Sequence, residues 1–81
     1  MTIKLIAYGI AKDILPSREL DFELAGDTAT IADLKQQLQA RFPEFGKLRS
    51  IHFAINADYQ DDTCPLHEND EVVIIPPVSG G

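Results

Sequence analysis

The chain has 81 residues, 44% of them hydrophobic and 25% charged, a net charge of −6 and one cysteine. That length supports one modest core and leaves little room for an internal active-site cleft, which argues against a self-sufficient enzyme. The acidic balance supplies no basic patch for phosphates, so nucleic acid is not expected as a partner.

The first expected element is a strand over residues 3–9, with Ile3, Leu5 and Ala7 on one face and Lys4, Ile6 and Tyr8 on the other. A turn region follows from Asp13 to Arg18, carrying Pro16 and Ser17. Residues 19–25 alternate, with Leu20, Phe22 and Leu24 inward and Glu19, Asp21 and Glu23 outward. They read as a half-buried strand and as the hairpin partner of the first. Thr30 opens a helix, and Asp33 three residues later makes a capping-box pair. Ile31, Leu34, Leu38 and Phe42 form the apolar stripe of that helix, and Pro43 ends it.

Beyond a loop holding Phe45 and Gly46, residues 50–55 alternate again with Ile51, Phe53 and Ile55 on one face. Asn56-Ala57-Asp58 reads as a turn, Tyr59–Gln60 as a short strand, Leu66 as plugging a gap under the loop or covering the open face, and Glu68-Asn69-Asp70 as another turn. Residues 71–75, Glu-Val-Val-Ile-Ile, form a strand apolar on both faces, which suits a central position. The order predicts an α+β domain: a mixed four- to five-stranded sheet with one main helix on one face. Pairing the last strand parallel to the first gives the β-grasp, or ubiquitin-like, arrangement. The domain is expected over residues 1–75, with an extended tail over residues 76–81. One helix shields one side only, so Ile6, Tyr8, Val73 and Ile75 are expected to form an apolar patch on the open side.

The charge is unevenly distributed. Residues 1–49 carry seven basic and seven acidic side chains, whereas residues 50–81 carry six acids and no Lys or Arg. This excess reads either as a solvated acidic surface or as steering towards a basic partner. A single cysteine allows no intramolecular disulfide, and the opening residues do not resemble a secretory signal. No run approaches the ~18 apolar residues that span a bilayer, so no membrane is expected and the reducing cytosol is the expected compartment.

Conventional catalytic sets are weak. His52 and His67 do not stand at metal-ligand spacing with Cys64, so no metal is expected. His52 reads as an ordinary outward histidine. Cys64 lacks a nearby Lys or Arg to activate it and reads as an inert thiol. The serines lack a nucleophile elbow, no glycine-rich phosphate loop exists, and Asp61-Asp62 reads as a solvated turn.

The chemistry concentrates at the end, Pro76-Pro77-Val78-Ser79-Gly80-Gly81. Two prolines make a stiff stem, and two glycines leave the tip without side chains. Six extended residues reach roughly 20 Å. An α-carboxylate is ionised at neutral pH and is a poor electrophile. Attack on the α-phosphate of ATP converts it to an acyl-adenylate, from which a sulfur nucleophile can displace AMP and leave a thiocarboxylate. Glycine suits each step, because the sites that act on it can close tightly.

The run from Asn69 to Gly81 resembles the ending of MoaD-type sulfur carriers, the small subunits of molybdopterin synthase. The opening strand Ile3 to Tyr8, the Thr30-initiated helix, Ile55-Asn56 and Pro65-Leu66 fall where that family has counterparts. The resemblance implies that Gly81 is adenylated and then thiocarboxylated, with Gly80 permitting close approach. It implies an E1-like activating enzyme using ATP, a sulfurtransferase system, and no permanently bound cofactor. The thiocarboxylate would donate sulfur to cyclic pyranopterin monophosphate inside the large synthase subunit, in a heterotetramer with two copies of each subunit. The chain is then a sulfur-donating subunit of a transferase and not catalytic alone. Tyr8, Tyr59 and Ile75 correspond to the family's docking positions, and Pro76, Pro77, Val78 and Ser79 set the reach. Sulfur supply for thiazole or thiolated tRNA, and a ubiquitin-like protein modifier, are the competing readings.

Overall fold

A computed structural model describes residues 1–26, 29–47 and 51–76. The first strand, β1 (Thr2–Ala7), buries Ile3, Leu5 and Ala7, as the alternation requires. It is shorter than expected because Gly9 turns the chain with φ 58° and ψ −135°, a conformation that glycine alone adopts at little cost. A short helix, α1 (Ile10–Ile14), follows where only a connection was expected. Ala11 and Leu15 sink into the core from it. The chain then returns as β2 (Glu19–Glu23), antiparallel to β1 with Leu5 opposite Leu20.

Helix α2 (Ile31–Arg41) begins at the anticipated cap. The Asp33 amide donates to the Thr30 hydroxyl at 3.4 Å, and the Thr30 amide donates back to the Asp33 carboxylate at 2.9 Å. These bonds satisfy donors that the first helical turn leaves open. Ile31, Leu34 and Leu38 are fully buried, while Phe42 forms the C-cap and packs on the core edge. The expected loop at Phe45 is a 3-10 helix (Pro43–Lys47) that buries the Phe45 ring edge-on to Phe42.

Before α2, the two-residue strand β3 (Ala29–Thr30) pairs antiparallel with β6 (Pro65–Leu66). This ribbon places Leu66 in the core on the helix side, so Leu66 does not cover the open face of the main sheet. Backbone bonds from Ile31 to Cys64 and from Ala32 to Asp62, both 3.0 Å, tie the ribbon to the start of α2.

The remaining strands are β4 (His52–Ile55), β5 (Asp58–Gln60) and β7 (Glu71–Ile75). Strands β4 and β5 form a hairpin on Asn56-Ala57, whose φ values of 55° and 69° define a type I′ turn. The main sheet has the order β2-β1-β7-β4-β5, with β7 parallel to β1 and every other pairing antiparallel. The apolar last strand therefore sits in the middle, as its composition demands. Val72 and Ile74 face α2 and the 3-10 helix, alongside Leu5, Phe22 and Phe53, and all are 0% exposed. Arg41 seals one edge of this core, with its guanidinium 4.5 Å from the centre of the Phe22 ring and bonded to the Glu23 carbonyl. Among the described residues, no helix is long and apolar enough to cross a membrane.

Candidate docking face and tail root

The face opposite α2 is built by register. One row across the sheet is Ile6, Val73, Ala54 and Tyr59, paired strand to strand. The next row towards the end of β7 pairs Ile75 with His52. Because β1 and β7 run parallel with Ala7 level with Ile74, Tyr8 and Ile75 leave their strands side by side. The His52 ring stacks on Tyr59, with centroids 5.7 Å apart and planes 26° from parallel. Tyr59 on β5, His52 on β4, Ile75 on β7 and Tyr8, the residue just past β1, thus make a ridge across the sheet. The ridge spans about 14 Å, three inter-strand spacings.

The ridge is wet. Tyr8 is 51% and Tyr59 65% exposed, and Ile6, Val73 and Ile75 are half-buried. Ala54 lies beneath these larger neighbours and is buried. The opposite end of the same face is charged: Lys4 stands in register between Asp21 and Glu71. The face is therefore graded, polar where β7 begins and apolar where β7 ends. Such a patch, rimmed by polar groups, is characteristic of a protein-binding surface.

Ile6, Tyr8, Val73 and Ile75, which alternation puts on the open side, lie together on this face. His52 is the residue that sequence reasoning undervalued. Its outward position was legible, but its contact with Tyr59 depends on the β4–β5 register, which periodicity does not give. Pro76 follows β7 directly and its ring lies against Gly9. Pro77, Val78, Ser79, Gly80 and Gly81 lie outside the described residues.

Four of the six acids in the second half have structural partners. Asp61 accepts bonds from the Thr63 hydroxyl at 2.6 Å and the Thr63 amide at 3.0 Å. Those bonds hold its carboxyl below the ordinary value. Asp62 pairs with Lys35 at 2.6 Å, Glu68 accepts from the Thr2 amide, and Asp70 accepts from the His67 amide at 2.8 Å. Among the described residues, Asp58 and Glu71 have no such hydrogen-bonded or ion-paired partner. Cys64 is half-buried, with its thiol near the Pro65 carbonyl, and the described residues hold no cluster suited to a metal ion.

A mixed sheet in this order, with α2 across one face and an apolar ridge on the other, defines a ubiquitin-like β-grasp protein. In the sequence, its central strand is followed by Pro-Pro-Val-Ser-Gly-Gly. The chain belongs to the ThiS family, whose profile matches residues 15–81. It is 37% identical over its full length to a molybdopterin synthase sulfur carrier subunit of Chlamydomonas reinhardtii, all of which is covered. Its fold matches SAMP1 from Haloferax volcanii with a TM-score of 0.80 at 21% identity, covering 100% of both chains. It also matches a chain of the Helicobacter pylori complex of molybdopterin-converting factor subunits 1 and 2 (TM-score 0.66, 22% identity, 100% of both chains).

Proposed function

We propose that this chain is the sulfur carrier subunit of a molybdopterin synthase. The observation that carries the reading is its end-to-end similarity to a sulfur carrier subunit of that enzyme. The chemistry is that of the bare tail. The Gly81 carboxylate attacks the α-phosphate of ATP in an E1-like activating enzyme, forming the acyl-adenylate and releasing pyrophosphate. A sulfide-equivalent nucleophile from a sulfurtransferase system then adds to the acyl carbon and expels AMP, leaving the thiocarboxylate. That group is anionic, soft and nucleophilic, and it carries sulfur without releasing it. Gly80 lets the enclosing protein approach the backbone, and Pro76, Pro77, Val78 and Ser79 span the distance to the reacting centre. Inside the large subunit, the thiocarboxylate donates sulfur to cyclic pyranopterin monophosphate.

The fold supplies what this role needs. The ridge of Tyr8, His52, Tyr59 and Ile75 docks the large subunit, and it lies at the end of the sheet from which the tail departs. The working assembly is a heterotetramer of two carriers and two large subunits in the cytosol, and the carrier holds no cofactor of its own. ATP is consumed by the activating enzyme.

The test is mass spectrometry of the intact chain after incubation with the activating enzyme, ATP and a sulfur donor. The expected mass change is one oxygen replaced by one sulfur. Deleting Gly81 should abolish it while the circular dichroism spectrum stays unchanged, and a truncated chain that still supports synthase activity refutes the assignment. Co-purification of the large synthase subunit separates this role from sulfur supply to thiazole or tRNA. Lysine conjugates in a cell extract would point instead to a modifier.

A further inference from the structure

Three large hydrophobic residues are exposed among those described: Tyr8, Tyr59 and Ile10. The two tyrosines belong to the ridge. Ile10 does not, yet it is 48% exposed and stands two residues beyond Tyr8, as the first residue of α1. It follows Gly9, where the chain reverses at φ 58°. A Cβ at Gly9 would lie 3.4 Å from Cγ of Pro76, so the proline ring faces the bare side of this glycine. The corner is held by its own hydrogen bonds, from the Ala11 amide to the Tyr8 carbonyl at 3.2 Å and from the Lys12 amide to the Gly9 carbonyl at 3.1 Å. An exposed isoleucine on a braced corner is apolar surface held in water, and its neighbour Gly9 is the residue that Pro76, the last described residue after β7, approaches.

We propose that Gly9, Ile10 and Pro76 form a collar around the root of the tail, and that the rim of the large subunit's tail-accepting cleft closes on it, with Ile10 as the apolar anchor. The proposal rests on the sulfur-carrier reading and adds a contact outside the sheet face. A cleft that takes in residues 77–81 has its mouth at Pro76, and therefore against Gly9 and Ile10. The collar is also continuous with the ridge through Tyr8, so a partner that covers ridge and tail covers the collar without a separate site. A second copy of this chain seated there would obstruct the tail of the first, which selects the large subunit as occupant. Gly9 is a positioning residue: it sets where Pro76 lies and hence the direction in which the tail leaves.

The experiment is isothermal titration of the full chain into purified large subunit, for wild type, Ile10→Asp, Ile10→Leu and Tyr59→Ala. Ile10→Asp should weaken binding about tenfold or more, as loss of an interface anchor does, with Ile10→Leu close to wild type. Hydrogen exchange of the Gly9–Lys12 amides should slow in the wild-type complex, a readout that needs no variant and decides the matter if Ile10→Asp fails to fold. Unchanged affinity in Ile10→Asp beside weakened binding in Tyr59→Ala overturns the collar and leaves the carrier reading standing. Exchange at Gly9–Lys12 that is the same free and bound also overturns it. Sedimentation showing a dimer that Ile10→Asp dissolves, with large-subunit binding intact, assigns Ile10 to self-association and overturns it too. If wild type fails to bind the large subunit at all, the carrier reading falls and the collar with it.

Discussion

Ile74 and Ile75 are neighbours in sequence on opposite faces of β7, and they should fail in opposite ways when cut back to alanine. Ile74 is 0% exposed and stands between Ala7 on β1 and Phe53 on β4. Removing three buried carbons forfeits about 2.4 kcal/mol of transfer free energy at ~0.8 kcal/mol each. The cavity left in a closed core raises the cost to about 3–4 kcal/mol. A domain of this size is stable by roughly 4–12 kcal/mol, so Ile74→Ala removes a large part of the total. At roughly 4–8 °C per kcal/mol, the melting temperature should fall by more than about 12 °C. Ile75 is half-buried on the open face, where truncation leaves no sealed cavity, so Ile75→Ala should cost below about 1 kcal/mol. On the sulfur-carrier proposal its effect falls on docking instead, with affinity for the large subunit falling about tenfold. Thermal melts by circular dichroism and calorimetric titration of both variants test the pair. If Ile75→Ala proves more destabilising than Ile74→Ala, the two faces of β7 have been assigned the wrong way round.

Thr30→Ala removes one half of the capping box and should cost about 1 kcal/mol, lowering the melting temperature by roughly 4–8 °C, with Thr30→Ser retaining most of it. Ala57→Gly should raise stability by about 0.5 kcal/mol: alanine at φ 69° pays roughly 1 kcal/mol or more, which glycine's freer unfolded chain only partly offsets. A denaturation midpoint at or below wild type would contradict the I′ turn. The Thr63 hydroxyl, then the Thr63 amide, lower the Asp61 pKa. The associated stability is thus present above the unfolded value of ~3.9 and is lost as pH falls through the folded one. Melts between pH 3 and pH 6 should therefore show a steeper acid decline for wild type than for Asp61→Asn, and superimposable acid limbs would remove Asp61 from that role.

The parts of this fold that announce themselves are those with a long period or a decisive cap. Residues 19–23 alternate without fault, and Thr30 with Asp33 fixes the start of α2 to the residue. Alternation also separated Ile6, Tyr8, Val73 and Ile75 from the core. Helix α1 was hidden because its five residues complete little more than a turn, and its N-cap, Gly9, has no side chain with which to signal. The β3–β6 ribbon was hidden for a similar reason: two-residue strands show no alternation, and their pairing joins residues far apart in the chain, Ala29 with Leu66 and Thr30 with Pro65. The acidic second half was ambiguous by composition alone. Its resolution needed partners, since an aspartate that caps Thr63 and one that meets Lys35 look the same in a sequence as two aspartates in solvent.

The position of β7 couples these observations. A strand central in the sheet must be apolar on its α2 side to close the core, and polar residues on its other side would suffice for a chain that works alone. Here Val73 and Ile75 fill that other side, beside Ile6 and Ala54. The same strand continues into Pro76 and the tail. Because β7 is parallel to β1, its exit lies beside Tyr8 and Gly9 and away from Lys4, so the apolar end of the face and the departing chain coincide. An antiparallel pairing would have delivered the tail to the charged end, among Lys4 and Asp21. On the sulfur-carrier proposal, a partner that covers the ridge meets Pro76 at the edge of its own contact surface. Pairing with β1 on one side and β4 on the other holds the end of β7, and with it Pro76, in place there.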